Sequence, residues 1–213
     1  MIQVKICGLT NLEDALEACA AGADLVGFLF AEASPRHISP EKIKAIIEEL
    51  PAGVMKVGLF RDNDINDTAD KVIFTGIDCL QLHGGESPAY CREIKKILAD
   101  RGRAVWIIKT FRVGDKIMGV APSTYGDADY YLFDTYHPKM MGGTGIKFDW
   151  GILKGVKFDK PFFLAGGLDA QNVAEAVRIL RPYGVDVASG VEASVGKKSN
   201  EKLKEFVRNA KNA

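Results

Sequence analysis

Short apolar runs rich in Val, Ile, Leu and Phe recur along the chain. They fall at residues 2–7, 24–30, 54–60, 78–83, 105–111, 129–135, 161–165 and 185–189. Runs of this length and character match parallel strands buried on both faces. Between most of them apolar positions return at helical spacing. Leu12, Ala15, Leu16 and Cys19 form one such stripe, and Ile43, Ile46, Ile47 and Leu50 a second. Val173, Ala176, Val177 and Leu180 form another, as do Leu203, Phe206, Val207 and Ala210. Each predicts a helix with one face turned to a core. Helix starts are marked as well. Thr10 with Glu13 reads as a capping box. Ser39-Pro40 and Ser87-Pro88 set a cap before a first-turn proline, and Asp169 and Ser199 are further caps. The fifth helical segment, within residues 114–125, is predicted to be short or broken by its Gly and Pro content, and the sixth, opening near Asp149, to be short.

Strands alternating with helical segments eight times predict an α/β fold, a single-domain (β/α)8 (TIM) barrel over residues 1–213. An open doubly wound sheet would usually carry a G-x-G-x-x-G turn after its first strand. Here that turn is Cys7-Gly8-Leu9-Thr10-Asn11, and no linker or composition shift divides the chain. Side-chain alternation then assigns faces. Ile2, Val4, Ile6, Leu80, Leu82, Tyr131 and Phe133 point to the helices. Gln3, Lys5, Cys7, Cys79, Gln81, His83, Leu132 and Asp134 point into the barrel. Lys109 is read as inward too. Lys5 needs a counter-charge there, and Asp186 on the adjacent eighth strand is expected to supply it within about 6 Å.

Composition narrows the function classes. The chain has 47% hydrophobic and 26% charged residues and a formal net charge of zero. Neither a nucleic-acid nor a membrane partner is suggested. No apolar run approaches the roughly 18 residues of a spanning helix, and no leader pattern is visible, so a soluble cytoplasmic protein is expected. The cysteines at 7, 19, 79 and 91 lack C-x-x-C spacing, and His37, His83 and His137 are far apart. No metal, cofactor or disulfide framework is expected.

The inward positions nearest the carboxyl ends of their strands are Cys7, His83 and Asp134, at the end where barrel active sites are built. Cys7 is a candidate catalytic thiol, the alternative being a buried structural cysteine. Asp134 closes an apolar strand, where an isolated carboxylate is costly unless paired, functional or capping a loop. Together they suggest an acid/base couple. Gly166-Gly167 after strand seven and Ser189-Gly190 after strand eight predict a phosphate cradle, against the alternative of plain tight turns. Arg36, in the long loop 31–39, is a candidate carboxylate ligand or a solvated surface arginine. His83 either touches substrate or is a satisfied rim histidine. Residues 141–145 read as a lid or a linker.

These residues resemble a known family. Lys5-Ile6-Cys7-Gly8-Leu9-Thr10, Ser34-Pro35-Arg36, Gln81-Leu82-His83-Gly84 and Leu132-Phe133-Asp134 look like phosphoribosylanthranilate isomerase. So do Gly142-Gly143-Thr144-Gly145 with Phe148-Asp149-Trp150, Leu164-Ala165-Gly166-Gly167-Leu168, and Asp186-Val187-Ala188-Ser189-Gly190-Val191-Glu192. The resemblance implies a step of tryptophan biosynthesis, an Amadori rearrangement without metal or cofactor. It makes N-(5′-phosphoribosyl)anthranilate the phosphosugar substrate and 1-(2-carboxyphenylamino)-1-deoxyribulose 5-phosphate the product. It implies Asp134 as general acid and Cys7 as general base, with Arg36 on the anthranilate carboxylate. Gly166, Gly167, Ser189 and Gly190 would hold the phosphate. A helix start after Thr10 is expected to lower the Cys7 pKa, and a like charge to raise that of Asp134. The resemblance leaves a monomer or a homodimer open, since related proteins include both. The chain departs from the pattern at Ile146, where a lysine is usual, with Lys147 following. The alternatives are an indoleglycerol-phosphate synthase, at which Lys5 and Lys109 hint, and a barrel that binds phosphosugars without turnover.

Overall fold

The strand runs close on themselves. In a computed structural model describing residues 1–135 and 149–213, eight parallel strands form a barrel in chain order. They are β1 (Gln3–Cys7), β2 (Leu25–Leu29), β3 (Met55–Phe60), β4 (Cys79–Leu82), β5 (Trp106–Val113), β6 (Tyr130–Thr135), β7 (Phe162–Leu164) and β8 (Gly184–Val187). Pairing of β1 with β8, with Lys5 opposite Asp186, closes the ring. Six α-helices lie among the described residues: α1 (Leu12–Ala20), α2 (Pro40–Glu48), α3 (Ile65–Thr75), α4 (Pro88–Asp100), α5 (Val173–Leu180) and α6 (Asn200–Lys211). The fifth and sixth helical segments are reduced to single 3₁₀ turns, Pro122–Thr124 and Trp150–Ile152. A small antiparallel hairpin, β9 (Glu192–Ser194) and β10 (Lys197–Lys198), follows β8. None of the described helices is long and apolar enough to cross a membrane.

The alternation reading separates two packed layers. Leu25, Val57, Cys79, Ile108, Leu132, Phe163 and Ala165 fill the barrel. Val4, Ile6, Leu80, Leu82, Tyr131 and Phe133 belong to the larger core against the helices. Lys109 corrects the sequence reading. Its neighbour Ile108 fills the barrel, so Lys109 faces outward, where its ammonium meets Glu86 at 2.7 Å. The expected pair inside the barrel is present, with Lys5 Nζ 2.8 Å from Asp186 Oδ1.

Ser39, Ser87 and Ser199 cap α2, α4 and α6 as read from the sequence. The Thr10–Glu13 capping box does not form. Asn11 caps α1 by accepting from the Asp14 N–H at 2.8 Å, while the Thr10 hydroxyl donates to the Gly196 carbonyl at 2.6 Å. Asp169 caps the turn just ahead of α5, accepting from the N–H groups of Gln171 and Asn172.

Candidate active site

Parallel strands in a closed ring deliver all their carboxyl ends to one mouth. Cys7 ends β1 there, and Asp134 lies beside the last residue of β6. The thiol is buried beside Gly27, whose hydrogen in place of a side chain leaves it room. A Cβ at position 27 would stand 3.1 Å from both Cys7 Sγ and Lys5 Nζ. Burial pushes the Cys7 thiol above its usual pKa; the Lys5 ammonium opposes this, Asp186 adds to it, and Lys198 opposes it. The sequence expectation that a helix start would lower this pKa is therefore reversed, because desolvation outweighs the charges nearby.

Asp134 Oδ2 stands 3.3 Å from His83 Nε2 and 4.0 Å from Arg112 Nη1. The like charge expected beside it is thus replaced by an imidazole and a guanidinium. Gln81 Nε2 lies 3.0 Å and Thr110 Oγ1 3.3 Å from His83 Nδ1. With the Gln81 amide so oriented, Nδ1 accepts its hydrogen bond and Nε2 is turned to the carboxylate. Gln81 Oε1, Arg112 Nη2 and Thr135 Oγ1 are buried and have no hydrogen-bond partner among the described residues.

Arg36 is not a solvated arginine. Its Nε and Nη2 donate to Glu192 Oε1 and Oε2, each at 2.7 Å, and the side chain is 12% exposed. These hydrogen bonds hold the guanidinium above its ordinary pKa. Burial pushes the Glu192 carboxyl up, but the Arg36 hydrogen bonds and the Lys198 charge outweigh it, leaving a lowered pKa. Gly8, at φ +76°, makes space for this arginine, since a Cβ there would meet Arg36 Cδ at 2.6 Å.

The glycines after β7 adopt left-handed backbone, Gly166 at φ +88° and Gly167 at φ +66°. A side chain at 166 would strike Thr135, and one at 190 would strike the Leu168 carbonyl. The N–H groups of Gly166 and Gly167 donate to no acceptor among the described residues. Ser189 and Gly190 open a 3₁₀ turn directly after β8. The two glycine turns are therefore packed against each other, as a cradle at one side of the mouth requires.

A model of N-(5′-phosphoribosyl)anthranilate isomerase matches residues 4–209. The chain belongs to that family. The N-(5′-phosphoribosyl)anthranilate isomerase of Pelobacter propionicus is 46% identical over 99% of this chain and 96% of its own. The crystal structure of the phosphoribosylanthranilate isomerase from Thermotoga maritima is 38% identical, with a TM-score of 0.86 over the whole of both chains. A second isomerase structure, 36% identical with a TM-score of 0.81 over the whole of both chains, is a complex with reduced 1-(o-carboxyphenylamino)-1-deoxyribulose 5-phosphate.

In this isomerase the structure therefore brings Cys7, His83, Asp134, Gly166, Gly167, Ser189 and Gly190 to one end of the barrel, with Arg36 joined to it through Glu192. His137, residues 141–145, Ile146 and Lys147 lie outside the described residues. Sequence reasoning missed Arg112, Glu192 and Lys198 as parts of the site. Arg112 was accessible to it, since it alternates with Thr110 and Ile108 along β5. Lys198 gave no local signal; the β9–β10 hairpin brings it to the site.

Proposed function

We propose that this isomerase converts N-(5′-phosphoribosyl)anthranilate to 1-(2-carboxyphenylamino)-1-deoxyribulose 5-phosphate with Asp134 as acid and Cys7 as base. Asp134 gives its proton to the furanose ring oxygen as the C1′–O bond breaks and the anilino lone pair forms the C=N bond. Cys7, as thiolate, takes the C2′ proton, and the C–H electron pair flows toward the iminium. The resulting enolamine loses its hydroxyl proton and gains one at C1′, which leaves the ketone. No proton is gained or lost overall.

One observation carries the reading. A thiol and a carboxyl group end strands of the same barrel mouth, with glycine turns after β7 and β8 beside them. The Lys5 and Lys198 ammonium groups favour the thiolate against desolvation. The cationic iminium formed by ring opening adds to this at the moment it is needed. Arg36, already oriented by Glu192, takes the anthranilate carboxylate. His83 contacts the substrate beside Asp134, and Gly166, Gly167, Ser189 and Gly190 hold the phosphate. Unpaired buried polar atoms cost about 1–3 kcal/mol each, so Gln81 Oε1 marks where a substrate hydroxyl donates and Arg112 Nη2 where a substrate oxygen accepts. The outward, Glu86-paired Lys109 removes one of the two lysines that hinted at an indoleglycerol-phosphate synthase. This chemistry calls for no nucleic acid, membrane or cofactor, and suits a single-domain monomer or homodimer. The free thiols at 7, 19, 79 and 91 suit the cytoplasm.

The test is the decay of anthranilate-type fluorescence when freshly formed phosphoribosylanthranilate meets the protein, with no indole released. Cys7→Ser and Asp134→Asn are each expected to lower kcat about 10²–10⁴-fold with the fold intact by circular dichroism. Near-normal turnover in either variant would remove that residue from proton transfer.

A further inference from the structure

Beside the thiol strand lies a buried cation whose hydrogen bonds the reaction scheme leaves without a role. Lys198 ends the β9–β10 hairpin and is 4% exposed. Its ammonium donates to the Cys7 carbonyl at 2.7 Å, the Ala188 carbonyl at 2.9 Å and Glu192 Oε1 at 3.2 Å. An ammonium has three donors, and all of them are engaged. Each acceptor belongs to a different part of the mouth. Cys7 carries the thiol. Ala188 precedes the Ser189-Gly190 turn. Glu192 clamps Arg36 through both oxygens.

We propose that Lys198 is a positioning residue for this isomerase, holding the thiol strand, the Ser189-Gly190 turn and, through Glu192, Arg36 in one fixed relation. The proposal rests on the site assignment made above. Stability alone gives a poor reason for such a group, because desolvation offsets most of the attraction in a buried ion pair and an apolar side chain often serves as well. An apolar side chain could not, however, direct hydrogen bonds to carbonyls on two strand ends and to a carboxylate. The cluster ties together the Cys7 strand end, the Ala188 carbonyl and the Glu192–Arg36 pair, so a small shift in it would misplace base, carboxylate ligand and phosphate turn together. Misplacement of about 1 Å is worth roughly 10²-fold in rate.

Lys198 also belongs to the charge set around the thiol. That set comprises Lys5 on β1, Asp186 on β8, Lys198 on β10 and Arg36 in the loop before α2. Removing the Lys198 charge withdraws one of the groups that favour the thiolate.

The experiment compares Lys198→Met, Lys198→Arg and Glu192→Gln with the parent and with Cys7→Ser in the full-length enzyme. Lys198→Met is expected to lower kcat about 10²-fold, to raise KM, and to move the acid limb of the kcat/KM profile to higher pH. Lys198→Arg, which keeps the charge, is expected to leave that limb in place. A folded Lys198→Met with unaltered kcat, KM and pH limb overturns the proposal. If Lys198→Met does not fold, Glu192→Gln decides. A raised KM for phosphoribosylanthranilate supports the positioning chain, and an unaltered KM overturns it. Cys7→Ser separates the two levels of argument, since activity surviving in that variant would overturn the site assignment itself.

Discussion

Asp186→Asn puts the electrostatics of the barrel interior to a quantitative test. The Lys5 side chain is fully buried, the Asp186 side chain is 10% exposed, and their charged atoms stand 2.8 Å apart. At an effective dielectric constant of about 20 that separation gives roughly 6 kcal/mol of attraction, most of it offset by desolvation. The net value of the pair is therefore small, while the cost of leaving the ammonium alone is about 3–5 kcal/mol. Urea unfolding of Asp186→Asn should show that loss as a lower midpoint at constant m-value. Lys5→Met/Asp186→Asn, which removes both charges, should recover much of it. Activity gives a second reading with an opposite sign to that of Lys198→Met. Asp186 raises the Cys7 pKa, so its neutralisation should move the acid limb of kcat/KM to lower pH in the folded fraction. An Asp186→Asn protein within about 1 kcal/mol of the parent would refute the reasoning, because no uncompensated buried charge would then exist.

Two further outcomes follow from the geometry. Gly190→Ala drives a methyl group into the Leu168 carbonyl, so a loss of about 1–3 kcal/mol is expected on thermal melting, with weaker inhibition by inorganic phosphate. Unimpaired phosphate inhibition would separate Gly190 from the cradle. Alkaline stability should fall as well. Burial raises Cys91 from 9.0 to about 11 and raises Cys7. A raised folded-state pKa gives stability that is complete below the unfolded value and is lost as pH rises through the folded one. Urea midpoints should therefore decline from about pH 9 toward pH 11, and Cys91→Ala should flatten the decline.

Much of the architecture was legible because short-range patterns and barrel closure agree. Once β1 and β8 are neighbours, Lys5 and Asp186 face the same interior, and their pairing follows from alternation alone. The serines before α2, α4 and α6 act locally and were read correctly. Failures came where tertiary structure outbid a local signal. Thr10 looked like a cap, but its hydroxyl is taken by the Gly196 carbonyl, 186 positions away, and Asn11 does the capping. Lys109 was assigned to the wrong face because the phase of β5 is set by Ile108 inside the barrel. The Cys7 thiol was expected to be acidified by a nearby helix start, a local effect, while the burial that dominates is a property of the whole mouth. Arg36 was recognised, but its clamp was not, since Glu192 reaches it across 156 positions.

Closure of β1 onto β8 also fixes when a growing polypeptide can become an enzyme. Lys198 reaches the Cys7 carbonyl across 191 positions, and Lys5 waits 181 positions for its carboxylate. Until β8 and the β9–β10 hairpin have left the ribosome, Lys5 lacks the Asp186 carboxylate and the Cys7 carbonyl lacks the Lys198 ammonium. Emergence of β8 and the β9–β10 hairpin ends both conditions at once, so activity should arise abruptly once that stretch has folded onto β1 rather than accrue with length.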